Sequence, residues 1–131
     1  MRRWLLALSV VALSAAAARA EWNPAAFGTQ DTLEFLTTAP NEAEHWSTVW
    51  LVVLDGQLYI RLGGRAAGRI ESNTTKPKIT LRIAGQEFDD VLAEPAPDQA
   101  AAVAKAMHDK YWSDVFVQFF NHPLTMRLTK P

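Results

Sequence analysis

Three stretches of the chain alternate between apolar and polar residues with a period of two. Leu58, Ile60 and Leu62 alternate with Tyr59 and Arg61, Ile79, Leu81 and Ile83 with Thr80 and Arg82, and Leu124, Met126 and Leu128 with Thr125, Arg127 and Thr129. Each predicts a strand with one face on a core. The run Thr48 to Leu54 is apolar almost throughout and predicts a strand buried on both faces. Asp55-Gly56 follows it and marks a tight hairpin into Gln57 to Leu62. Ala84-Gly85 turns Lys78 to Ile83 back into a strand over Gln86 to Ala93, whose Phe88, Val91 and Ala93 break the period and predict a bulge near Asp89-Asp90. Two helices are expected. One is short, over Asp31 to Thr37, from the shared face of Leu33 and Leu36. The other is capped by Asp98 and runs to about Tyr111, with Val103, Met107 and Tyr111 four residues apart.

Two hairpins, a crossing helix and a late strand make a small, mainly antiparallel α+β domain. A five- or six-stranded barrel hides its strand edges better than an open sheet does. The first 20 residues stand apart: Arg2-Arg3, an apolar run from Trp4 to Leu13, and Ala18-Arg19-Ala20 form the three parts of a signal peptide. Cleavage before Glu21 predicts an exported chain, 21–131, folding as one domain in the bacterial periplasm. Later apolar runs fall short of a membrane span. The paired arginines leave both ordinary secretion and twin-arginine export open.

Removing Arg2, Arg3 and Arg19 takes the formal net charge from −1 to −4, which argues against general nucleic-acid binding. The chain has no cysteine, so disulfides, thiolate metal sites and thiol nucleophiles are excluded. The remaining charge is strongly segregated. Between Arg61 and Arg82 lie six basic residues and a single acid, Glu71, a local charge of +5, whereas the rest of the mature chain carries −9. Within that segment Gly63-Gly64-Arg65-Ala66-Ala67-Gly68-Arg69 reads as a glycine loop. Guanidinium forks match phosphate oxygens, and Gly63, Gly64 and Gly68 let backbone N–H groups approach an anion. The plainer alternative is a solvated basic loop, with Arg61 and Arg82 paired across the strands to Glu87 or Asp89.

Other chemistry is thin. His45, His108 and His122 form no metal-ligand spacing, and His108 and Asp109 point to different faces of their helix, a poor general base. No Gly-x-Ser-x-Gly occurs. Trp46, Trp50, Tyr59, Trp112, Phe116, Phe119 and Phe120 either fill the core or form a stacking or dimer surface, and an extended segment through Phe119-Phe120 would expose one of the two. Asn73-Thr74-Thr75 matches a glycosylation acceptor, which the bacterial character of the leader discounts.

The order of elements around Trp-Leu-Val-Val-Leu-Asp-Gly, Leu-Tyr-Ile-Arg and the Gly/Arg segment resembles a small family among the flavin- and deazaflavin-binding split β-barrels. These are relatives of pyridoxamine-phosphate oxidase and the deazaflavin-dependent nitroreductases. The resemblance extends from about residue 31 to 131 and is most specific over Val49 to Arg69. It implies a homodimer and FMN or a deazaflavin as cofactor, with oxidoreductase chemistry where the cofactor is bound. It also implies that the cofactor phosphate is held by Arg61, Arg65, Arg69, Ser72, Thr74, Thr75 and Lys76. Close members often carry an aromatic residue after the loop glycine, where this chain has Arg69-Ile70-Glu71. The rival class is a non-catalytic periplasmic module that binds a small anion or a protein through the same basic segment.

Overall fold

The computed structural model describes residues 21–111 and 124–131. Six strands, β1 (Thr32–Thr37), β2 (His45–Leu54), β3 (Gln57–Leu62), β4 (Lys78–Ile83), β5 (Gln86–Pro95) and β6 (Leu124–Thr129), are joined by two helices, α1 (Gly64–Glu71) and α2 (Ala100–Lys110). The strands close into a barrel in the order β1-β2-β3-β6-β5-β4, with every neighbour antiparallel. The strand period explains the interior. Phe35, Leu51, Leu58, Ile60, Leu81, Val91 and Leu128 are all fully buried and meet in one cluster. The barrel therefore has six strands, at the upper end of the expected five or six.

The helix expected over Asp31 to Thr37 is instead β1. Leu33, Phe35 and Thr37 alternate inward, and the strand pairs on both sides, Phe35 with Ser47 of β2 and with Leu81 of β4. Closure of the barrel overrides the local i, i+3 spacing of Leu33 and Leu36. The unbroken apolar run of β2 also has its cause. Val49, Leu51 and Val53 face the barrel interior, whereas Trp50, Val52 and Leu54 face outward beneath α2.

Both hairpins follow their turn residues. Asp55 and Gly56 lie at φ 49° and 73°, Ala84 and Gly85 at φ 52° and 74°, the left-handed pair that a two-residue turn needs to match strand twist. The expected bulge is present: Ile79 faces Val91 and Leu81 faces Phe88, so β5 holds one more residue than β4 in that interval. Asp90, at φ 55°, absorbs the extra residue.

The two ends of the barrel are closed differently. Around the mouth where β3 ends and β4 begins, α1 lies across the opening. At the other end, Phe27 in a 3-10 turn (Pro24–Phe27) packs edge to face against Trp22 and Phe88. Helix α2 covers the outside of β2 and β3, with Val103 and Met107 packed against Val52 and Tyr59. Asp98 does not cap this helix. It falls in a 3-10 turn (Pro97–Gln99) ahead of it, and the N-cap position is Gln99 without a side-chain bond.

The end of α2 is clamped to the barrel. Tyr111 stacks on Trp50 with centroids 4.7 Å apart, and its hydroxyl lies 2.7 Å from the carbonyl oxygens of both Asp31 and Leu51. Lys110 donates to the Gln30 carbonyl and, at 3.2 Å, to that of Leu51. Burial pushes the Tyr111 phenol up to about 12 and pushes Lys110 down. The folded chain keeps the phenol proton where the unfolded chain loses it. This contribution is therefore complete below about pH 10 and is lost as pH rises towards about 12, while Lys110 acts with the opposite sign. Tyr111→Phe is expected to cost about 1 kcal/mol near neutrality. Urea unfolding at about pH 7 and about pH 11 should show that deficit shrinking at the higher pH; an unchanged deficit would show that the phenol proton does not stabilise the clamp.

Candidate functional site

The segment that looks like a glycine loop is helical. Gly63 is the N-cap, with extended backbone at φ −71° and ψ 175°, and Gly64 to Glu71 form α1. Ala66, Ala67 and Ile70 supply the reason. They turn one face of the segment onto the interior cluster, and this burial offsets the cost of two helical glycines, about 1 kcal/mol each relative to alanine. The glycines sit in open space, since a Cβ at Gly63, Gly64 or Gly68 would meet nothing within 4 Å. Close packing is therefore not what calls for glycine at these three positions.

Arg65 and Arg69 are one turn apart, so both emerge on the outer face of α1. Together with Gly68 and Ser72 on one side and Ala39 and Glu42 of the β1–β2 connection on the other, they line an open concavity of about 400 Å³. Arg69 Nη1 is 4.0 Å from a Glu42 carboxylate oxygen, a distance at which an exposed pair contributes little. Two guanidinium groups with a hydroxyl beside them make a donor set suited to the oxygens of a phosphate.

The remaining expected site residues divide by location. Arg61 lies on β3 opposite Thr125 of β6, just before the helix. Lys76 pairs with Glu71 at 2.8 Å. Thr75 is built into the connection: its hydroxyl donates to the Lys78 carbonyl at 2.7 Å and accepts from Asn73 Nδ2 at 3.0 Å. Ser72 and Thr74 are exposed on either side of the buried Asn73. Asn73 ties the connection to β1, with its Oδ1 accepting from the Thr38 N–H at 3.0 Å and its Nδ2 donating to the Lys78 carbonyl at 2.9 Å. In the sequence Asn73 stands out only as a glycosylation match. Its amide nitrogen is engaged inside the fold. Polar burial of this kind leaves no periodic signature.

Elsewhere, Arg82 pairs with Glu87 at 3.3 Å and lies 3.9 Å above the Trp46 ring, the expected cross-strand ion pair with an added cation–π contact. Asp89 instead accepts from Thr80 at 3.0 Å. Tyr59 is buried under α2, and Trp50 is committed to Tyr111. Asp109 turns to Lys105 at 2.8 Å, and that hydrogen-bonded ammonium holds its carboxyl below the usual carboxylate range. His122, Trp112, Phe116, Phe119 and Phe120 lie outside the described residues. Among the described residues no cluster of His and carboxylate groups is arranged for a metal, and no helix is long and apolar enough to cross a membrane.

No protein-family model and no curated protein matches the chain in sequence. Solved structures do match its fold. The heme storage protein HutZ from Vibrio cholerae superposes with a TM-score of 0.61 at 15% identity, covering 79% of this chain and 83% of that one. An F420-H2-dependent reductase gives 0.57 at 11% identity, over 76% of this chain and 95% of its own. A structure described as a domain-swapped dimer gives 0.61 at 10% identity, over 76% and 81%. The fold shared with these structures is a small split β-barrel.

Because Asn73 is the polar joint beneath Ser72, Asn73→Ala is expected to destabilise the protein by about 2 kcal/mol, leaving the half-buried Thr38 N–H without its acceptor. Urea unfolding measures this. A loss below about 0.5 kcal/mol would show that the joint contributes nothing to positioning α1.

Proposed function

We infer that this is an exported split-barrel protein that binds a phosphate-bearing ligand, of flavin or deazaflavin type, at the outer face of α1. The observation that carries the reading is the placement of Arg65 and Arg69 on one helical face, lining a concavity with Ser72. The donor set fits a phosphate group. The fold supports a ligand of this type, since a solved split barrel of the same architecture is an F420-H2-dependent reductase. Bound FMN or deazaflavin would supply hydride or electron transfer. The chain's own contribution is then to bind and orient, with Arg65 and Arg69 holding the phosphate.

A non-catalytic module that binds a small anion is the second reading. It is favoured by the lining itself, in which, among the described residues, Glu42, Arg65 and Arg69 are the ionisable groups and no histidine, tyrosine or other aromatic ring takes part. Titration separates the readings. With the flavin reading, FMN binds much more tightly than inorganic phosphate, and Arg65→Ala with Arg69→Ala weakens FMN at least about tenfold, as expected for two charge-assisted contacts. Equal, weak binding of both ligands with the same arginine dependence would select the anion module. FMN binding indifferent to both arginines would remove the site from either reading.

Export and assembly belong to the same proposal. The leader supports export, and the domain-swapped dimer of similar fold supports a homodimer. Native mass spectrometry of protein recovered from its host should give a dimer whose chains begin at Glu21. A monomer, or chains that retain residues 1–20, would contradict the corresponding part.

A further inference from the structure

The geometry points to a narrower ligand class for the concavity on α1: phosphate esters that carry a hydrogen-bond donor, an ammonium or a hydroxyl, next to the phosphate, with Glu42 as the acceptor for that donor. This rests on the phosphate reading of Arg65 and Arg69. A pure anion site would present cations alone, yet here a carboxylate stands on the opposite wall.

Glu42 is held there by its turn. Its backbone N–H donates to the Ala39 carbonyl at 3.1 Å, and Asn41 adopts a left-handed φ of 65°. That conformation reverses the chain between β1 and β2 and brings residue 42 to face α1. The contact it makes is loose: 4.0 Å to Arg69, with the Glu42 side chain 63% exposed and that of Arg69 35%. Neither group is saturated. A guanidinium has five donors and a carboxylate about four lone-pair directions, so each keeps capacity for a ligand. The concavity thus offers two cations and one strong acceptor around a single space.

A bare phosphate seated on the arginines is repelled by the Glu42 carboxylate. At about 4 Å in a water-like dielectric, one unit charge on another changes affinity about fivefold. An ammonium or hydroxyl carried beside the phosphate reverses that term, because it places a donor against the same carboxylate. Glu42 therefore does not abolish anion binding; it sorts anions by what accompanies the charge.

The test compares methyl phosphate with O-phosphoethanolamine by calorimetric titration of the mature protein, in the wild type, Glu42→Gln, Glu42→Lys and the Arg65→Ala/Arg69→Ala double variant. Glu42 is on the surface, so its variants should fold. The wild type should prefer O-phosphoethanolamine about tenfold. Glu42→Gln should bring the two within about twofold, and Glu42→Lys should reverse the order. An unchanged preference in both Glu42 variants, with binding still dependent on the arginines, overturns the role of Glu42 and leaves the phosphate reading standing. Binding of neither ligand, or binding that survives loss of both arginines, overturns the two together.

Discussion

The pairing of β1 with β4 closes the barrel and separates β3 from β4. In the strand order β1-β2-β3-β6-β5-β4 these two lie opposite one another, with two strands between them in either direction. The chain that leaves Leu62 must therefore cross the mouth of the barrel before it re-enters at Lys78. A crossing segment over an open apolar interior has to bury one face and solvate the other. α1 meets that requirement with Ala66, Ala67 and Ile70 below and Arg65 and Arg69 above. The basic face is a consequence of topology, and the concavity is the space left between that face and the β1–β2 connection at the same end.

The rest of the structure holds this end in place. Asn73 binds the exit of α1 to Thr38 at the end of β1, so one polar joint sets both walls of the concavity. Farther away, β2 is covered on its outer face by α2, and the Tyr111 and Lys110 clamp ties that helix to the carbonyls of Gln30, Asp31 and Leu51. A barrel of this size gains its stability from such continuous burial alone, since the chain has no cysteine to staple it.

Much of this was legible in the residues. The period of two in β3, β4 and β6, the Asp55-Gly56 and Ala84-Gly85 turns and the bulge at Asp89-Asp90 are local properties, and each appears where the side chains place it. Two elements were not legible for one shared reason. Leu33 and Leu36 suggest a helix, and Gly63-Gly64 with Gly68 suggest a loop, but both segments take their form from distant partners: β1 from β2 and β4, α1 from the barrel mouth it covers. A signal for α1 existed in two i, i+4 pairs, Arg65 with Arg69 and Ala66 with Ile70, and was masked by the glycines. The basic residues of the candidate site were visible as a charge imbalance. Glu42 and Ala39 were not, because they reach the concavity from another part of the chain.

The account stands on α1 presenting Arg65 and Arg69 to an anionic ligand across from the β1–β2 connection. Amide NMR spectra of the mature protein titrated with FMN test this most directly. Perturbations concentrated at Ala39, Glu42, Gly68, Arg69 and Ser72, and small along the Trp46 and Arg82 face of the sheet, are the predicted result. A map centred on that sheet face, with α1 unperturbed, would contradict it.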